Sequence, residues 1–362
     1  MRTVQMSNYT VGEDCFEAIP EALEAYGART VVLAGGARAL AAAAPGIKKA
    51  IEGSKAYVLD TIVYGTDSTQ SAIDELEANP AFHDADIAFA VGGGKAIDTV
   101  KTAAKRLRKT VFSVPTICSN CSSATAIAVV YNDDHSLKGY AYPDAPAHIF
   151  INPAIIAAAP EEYFWAGIGD ALSKQPEVEY ATSGGGLTHT GALGLALAHT
   201  CTEPLMTFGA QGLADVRANR ASEAVKQIAL DIVVNTGYVS NLTNQPDFYY
   251  NSSLAHAFYN ATTGIPRGER PYLHGEVVSF GVLVLLAYIG DTEQLERYAA
   301  FNKKLGLPVT LAELDLDESH LPRIAELAQN TNEWKQGNPE PFTPEAFIEA
   351  IKAADAFGKN LA

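Results

Sequence analysis

The chain has 362 residues, enough for two domains. It is 48% hydrophobic and 19% charged, with a formal charge of −16. That balance suits a soluble globular protein and argues against a basic nucleic-acid footprint or an anionic membrane partner.

The stretch MRTVQMSNYT lacks an apolar signal core, and the most apolar run, Val277–Ile289, is too short to span a bilayer. A cytoplasmic protein with reduced thiols is expected. Residues 1–14 read as a strand or extended arm, and Glu17–Tyr26 as a helix with Pro20 in its first turn. Thr30–Ala34 is a buried strand, and Gly35-Gly36-Ala37-Arg38 turns into an alanine-rich helix. Ala56–Leu59 is a strand, and Ser68–Asn79 a helix capped by Ser68. Asp86–Val91, a short apolar run, suits a strand covered on both faces. After Gly92, Gly93 and Gly94, the next helix opens with Lys95-Ala-Ile-Asp98. Thr110–Val114 is a strand closed by Pro115-Thr116, and 124–131 and 147–151 are further strands flanking an excursion at Asn132-Asp133-Asp134.

Strands alternating with helices imply a mostly parallel sheet with helices on both faces, whose ligands bind at the strands' carboxyl ends. The turns at Gly35, Gly92 and Pro115 all lie there. Beyond Ile151 the pattern becomes helical, over 167–182, 187–201, 212–240, 249–262, 275–289, 291–304, 319–330 and 344–357. The expected architecture is an α/β dinucleotide-binding domain over 1–155 and an all-α domain over 156–362. The cleft between two such domains is the default site.

Strand, glycine turn and helix start form a phosphate cradle. The backbone comes close to the anion, and the free N–H groups and the helix dipole favour its charge. Lys95 adds a positive charge. Asp98 can bond a ribose, a nicotinamide or the glycine loop. The same residues also fit a plain tight turn with a first-turn carboxylate. Neither GxGxxG nor GxxxxGK[ST] is present here. In the helical half, Asp170, His256 and His274 each read alone as a cap or a core group. Together they offer two imidazoles and a carboxylate with a fourth position open, the donor set of a catalytic metal. Zinc and iron(II) both accept it. Cys118 and Cys121 form a CxxC that fits a redox pair or half a zinc site.

VGGGKAIDTVK, PTICS, AGIGDALSK, SLAHAFYN and LHGEVVSFG occur in this order. The set resembles the iron-containing (group III) alcohol dehydrogenase superfamily, on its glycerol dehydrogenase-like branch, over essentially the whole chain. The resemblance implies an α/β dinucleotide domain followed by a helical domain. It implies that Asp170, His256 and His274 hold a divalent metal, and that Gly93, Gly94, Lys95 and Asp98 contact the dinucleotide, with Gly92 in the same turn. Thr116, Ser119, Thr125, Ile127 and Tyr131 match further cofactor-lining positions. Where glycerol dehydrogenases carry a polyol-binding Asp, this chain has Cys121, which makes the CxxC a pocket wall. A thiol replaces a carboxylate poorly as acceptor of two hydroxyls. Cys121, NDD after VVY, and LPVTLAEL look more like the hydroxycarboxylate dehydrogenase subgroup. At the position where NAD-preferring members place an acid stands Gly36, followed by Arg38. That permits NADP and slightly favours it over NAD, although Arg38 reads equally as a solvated helix residue. The family's WYEA after the metal Asp is replaced by Gln175–Val178, where Pro176 is expected to kink a helix.

The expected activity is metal-assisted hydride transfer between NAD(P)H and a small 2-oxo or 2-hydroxy acid, with Arg267 and Arg270 nearest in sequence to serve as a carboxylate clamp. The alternative is a glycerol or other polyol dehydrogenase. A dehydroquinate synthase-like lyase lacks its cluster of basic residues here, and a non-catalytic metal- or nucleotide-binding relative is the remaining rival. A homo-oligomer is expected, with the N-terminal arm as a contact.

Overall fold

Six short runs pair side by side into one parallel sheet: β1 (Asn8–Val11), β2 (Thr30–Gly35), β3 (Tyr57–Val63), β4 (Ile87–Gly92), β5 (Thr110–Pro115) and, after a separate hairpin of β6 (Ala128–Tyr131) and β7 (Leu137–Ala141), β8 (His148–Ile151). Their order is β1-β8-β5-β4-β2-β3. The computed structural model describes residues 3–361. Two compact units divide the chain, one comprising residues up to Phe164 with Ala214–Gly237, the other Trp165–Leu213 with residues from Tyr238 onward. The segment 214–237 therefore lies with the sheet rather than with the helical half, where the 1–155 and 156–362 division put it.

The apolar runs lack alternation because both faces of the sheet are covered. Leu33, Phe89 and Val91 pack with Ile19 and Leu23 of α1 (Ile19–Ala25) and Leu40 and Ile47 of α2 (Ala37–Ile51). Their neighbours Val32, Ala34, Ala88 and Ala90 face the opposite core, with Ile73 and Leu76 of α3 (Gln70–Ala78), Phe82 of α4 (Pro80–Asp84) and Ile97 and Val100 of α5 (Gly94–Arg106). Each fully buried side chain of this size contributes roughly 1.5–3 kcal/mol.

Several local expectations shift. Thr69, not Ser68, caps α3, because its hydroxyl accepts from the amide of Ala72. The strand expected over 124–131 begins only at Ala128, after a 3-10 turn at Ser122–Ala124. The N-terminal arm is a strand of the chain's own sheet, paired with β8 from Asn8 to Val11.

The remaining helices are α6 (Pro153–Ala157), α7 (Glu161–Ala171), α8 (Lys174–Thr182), α9 (His189–Ala198), α10 (Glu203–Arg217), α11 (Glu223–Leu230), α12 (Thr236–Thr243), α13 (Leu254–Thr262), α14 (His274–Ile289), α15 (Thr292–Leu305), α16 (Leu321–Ala328), α17 (Asn332–Gln336) and α18 (Pro344–Asn360). The helix expected over 212–240 is three segments. Asn219, at φ 49°, follows α10, and a π-helical turn, Asp231–Asn235, separates α11 from α12. The helix expected over 167–182 is also two. Pro176 cannot donate to the carbonyl of Leu172 and its ring would strike it, so α7 stops at Ala171 and α8 begins at Lys174. Pro176 then sits in the first turn of α8, where its missing N–H has no intrahelical role, and no kink is needed. Among the described residues no helix is long and apolar enough to cross a membrane.

Candidate metal and dinucleotide sites

Asp170, His256 and His274 converge from three helices. Their ligand atoms all lie within 4.8 Å of one another. His274 Nε2 is 3.0 Å and His256 Nε2 3.6 Å from Asp170 Oδ1. Asp170 occupies the last turn of α7 and not a helix start, so it caps nothing. His256 lies in the first turn of α13, and His274 opens α14. The approach is set by backbone. A Cβ on Gly275 would lie 1.8 Å from the carbonyl oxygen of Ala166 and 2.7 Å from the amide nitrogen of Asp170. Only a glycine lets α14 start this close to α7, which brings His274 against Asp170.

Behind His256 stands Glu177 of α8, fully buried. Its Oε2 is 2.6 Å from His256 Nδ1, and its Oε1 accepts from the amides of Ser253 (2.8 Å) and His256 (3.0 Å). Glu177 takes up the Nδ1 proton in a hydrogen bond, which leaves Nε2, on the Asp170 side, as the nitrogen a metal would claim. The Tyr259 ring stands edge-on to His274 at 4.2 Å. Burial works against a charged His256, yet Glu177 and then Asp170 hold its pKa up to about 10 without an ion. Burial likewise pushes the Asp170 carboxyl up, but His274 and His256 more than offset this and leave it well below the usual range.

The donor set fits a divalent metal. Asp170 is half-buried at the negative end of a helix dipole, where a carboxylate is disfavoured unless a cation meets it. Two imidazoles and one carboxylate leave coordination positions for substrate. Sequence reading missed Glu177, although QPEV keeps the acid of WYEA two residues after Gln175. It also overrated the arginines. Arg270 is bidentate on Glu276 (2.6 and 3.1 Å). Arg267 donates to the Leu314 carbonyl at 3.2 Å, and both guanidinium groups stack on Tyr272. Neither stands ready as a carboxylate clamp.

In the sheet unit, Gly92 ends β4 at φ 152°, a conformation that suits glycine, and Gly93 precedes the first turn of α5. Thr116 donates its amide to the Gly92 carbonyl at 3.1 Å, which ties the strand ends together. Gly36 precedes α2, and Arg38 is exposed in the first turn of α2. Lys95 Nζ pairs with Asp67 at 2.9 Å and lies 5.6 Å above the Tyr131 ring. Asp98 lies one turn further along α5. It is buried, accepts from the Val129 amide at 2.9 Å and pairs with Lys101 at 3.1 Å. Ser119, Cys121 and Ile127 are half-buried and Thr125 is buried. No disulfide forms among the described cysteines, and burial, followed by the nearby Asp231, pushes the Cys118 thiol up, the reverse of a reactive redox thiol.

A glycine-turn parallel sheet and an Asp–His–His cluster able to hold a metal, found in one chain, fit the class of metal-dependent alcohol oxidoreductases. The family model described as iron-containing alcohol dehydrogenase matches residues 7–153. A glycerol dehydrogenase of Thermotoga maritima is 32% identical over 309 residues, 82% of each chain. Hydroxycarboxylate dehydrogenase A of Escherichia coli K12 is 30% identical over 301 residues, again 82% of each. The crystal structure of a probable glycerol dehydrogenase from Sinorhizobium meliloti 1021 superposes with a TM-score of 0.81 at 26% identity, covering all of both chains. The chain belongs to the iron-containing alcohol dehydrogenase family and is an oxidoreductase.

Proposed function

We propose that this protein is a dehydrogenase of a small polyol such as glycerol, using NAD(P) and one divalent metal, zinc or iron. The observation that carries the reading is the convergence of Asp170, His256 and His274 within 4.8 Å. The glycerol dehydrogenase of Thermotoga maritima and the probable one of Sinorhizobium meliloti favour a polyol over the 2-oxo acid expected from sequence. A second reading keeps the 2-hydroxy acid. It rests on Cys121 where a polyol-binding carboxylate is expected, and on the similarity to hydroxycarboxylate dehydrogenase A.

When bound, the metal would supply Lewis acidity toward the substrate oxygen. Asp170 supplies the negative charge that favours the ion, and Glu177 keeps His256 in the tautomer that ligates. Tyr259 packs beside His274 and limits the freedom of its ring. The amides at the start of α5 would hold the dinucleotide phosphates, and Arg38, exposed at the start of α2, would be free to meet a 2′-phosphate. When bound, the dinucleotide would supply the acceptor for the hydride of the carbinol carbon, with the hydroxyl proton passing to water. The reading includes a cytoplasmic setting and self-association, the latter measurable by sedimentation.

The test is dinucleotide reduction by protein loaded with zinc or iron(II), offered glycerol and, in reverse, 2-oxobutyrate and 2-oxoglutarate. Turnover of glycerol alone supports the first reading, and of the acids alone the second. Turnover undiminished from loaded wild type in both His256→Ala and metal-stripped protein would overturn both.

A further inference from the structure

The Ser122–Tyr131 stretch stands outside the six-stranded sheet. It is a 3-10 turn followed by β6, whose ladder partner is β7. Its carbonyls turn inward. Lys101, in the middle of α5, has no exposed side-chain surface. Its ammonium lies 2.8 Å from Ser122 O, 3.1 Å from Thr125 O and 2.7 Å from Ile127 O. It also lies 3.1 Å from Asp98 Oδ1. Asp98 Oδ2 accepts from the Val129 amide at 2.9 Å, and Ser113 Oγ donates to Ser123 O at 2.7 Å.

A buried ion pair is weak support for stability, since well-packed apolar residues often serve as well. What an apolar pair cannot supply is three directed donors for three carbonyls of a short irregular segment. We propose that Lys101 and Asp98 are positioning residues that hold Ser122–Val129 in the shape the dinucleotide requires. This rests on the functional reading above, together with the match of Thr125, Ile127 and Tyr131 to cofactor-lining positions of the family. Asp98 then acts through the backbone it anchors and not by touching the cofactor. The helix α5 then serves twice: its start cradles the phosphates, and its next two turns, through Asp98 and Lys101, support the Ser122–Val129 segment.

The experiment compares wild type with the neutral pair Asp98→Asn/Lys101→Met. The amide keeps an acceptor for Val129, while the thioether removes every tether to the carbonyls and leaves no unpaired charge. NADH and NADPH dissociation constants are read from nicotinamide fluorescence, the zinc constant by chelator competition, and amide exchange over Ser122–Val130 by mass spectrometry. Expected are at least tenfold weaker dinucleotide binding, faster exchange in that segment, and zinc binding within twofold of wild type. Dinucleotide affinity within twofold of wild type would overturn the proposal. A loss of zinc and dinucleotide binding together would also count against it, as general disruption. Should the double variant fail to fold, Lys101→Gln, which keeps one amide donor, is expected to weaken dinucleotide binding threefold or more, and an unchanged constant there overturns the idea. Failure of wild type itself to bind either dinucleotide would remove the functional reading and the tether with it, a different outcome from an unaltered variant.

Discussion

Glu177 Oε2 stands 2.6 Å from His256 Nδ1, and the other oxygen of the same carboxylate caps the amides of Ser253 and His256. One side chain therefore fixes the ring, the tautomer and the helix start that carries the ring. Glu177→Gln keeps the shape and loses the charge. Zinc affinity is expected to fall roughly 10–100-fold, as for other outer partners of metal-bound histidines. Chelator competition on the folded variant checks this, with circular dichroism showing that α8 and α13 persist.

Gly275→Ala should damage the site through the backbone. The added methyl would lie 1.8 Å from the Ala166 carbonyl, and helices cannot yield that much locally. Overpacking of this kind costs about 1–3 kcal/mol. A lowered melting temperature together with lost zinc binding is expected, whereas a purely structural glycine would lower the first and spare the second.

Asp231 offers a pH test away from the metal. It is almost wholly buried in the π-helical turn, and burial raises its pKa well above the ordinary carboxylate range, despite the Asn235 amide that donates to it at 2.8 Å. The folded state therefore holds a proton that the unfolded chain releases near pH 4. The contribution is fully present below that pH and is lost as pH rises toward the folded value, by up to ~1.4 kcal/mol per unit. Asp231→Asn removes the dependence. Wild type and variant should unfold at similar temperatures near pH 4.5, and the variant should be the more stable of the two by pH 8. Equal melting temperatures at both would contradict the buried-acid account.

Arg38→Ala addresses cofactor choice. If the guanidinium meets a 2′-phosphate, NADPH should bind about fivefold more weakly, the loss of roughly one exposed charge-assisted contact, and NADH should be unaffected. Fluorescence titration of both cofactors decides it. Equal losses for the two would point to a role in folding α2.

Cys121→Asp probes the substrate. A carboxylate restored there can accept from two hydroxyls, so glycerol kcat/KM should rise and any 2-oxo acid activity should fall through like-charge repulsion. Steady-state kinetics on both substrate types reads the exchange directly.

Much of the fold was legible because uninterrupted apolar runs and glycine turns signal a covered parallel sheet. The convergence of Asp170, His256 and His274 was legible through motif order, since spacing alone left each of the three a structural alternative. The π-helical turn at Asp231 was not, because one residue of backbone slack leaves no periodic mark in a helical pattern. The roles of Asp98 and Lys101 were hidden for another reason. Sequence put Asp98 in the first turn, open to the cofactor or the glycine loop, and gave no sign for Lys101; in the fold Asp98 lies past the first turn, and the segment folded back over α5 buries both. Glu177 was obscured by the proline beside it, which drew attention to helix geometry and away from the carboxylate.

The sheet unit is assembled from two separated lengths of chain, with Ala214–Gly237 returning to it after an intervening stretch of more than forty residues. Ala124 lies against Gly237 so closely that a methyl on that glycine would come within 2.6 Å of the Ala124 methyl. A nascent polypeptide released from the ribosome as far as residue 164 would thus lack part of its own sheet unit. Completion of that unit must await translation of Trp165–Leu213, the first stretch of the other, so the opening of the helical unit is already made before the sheet unit can close.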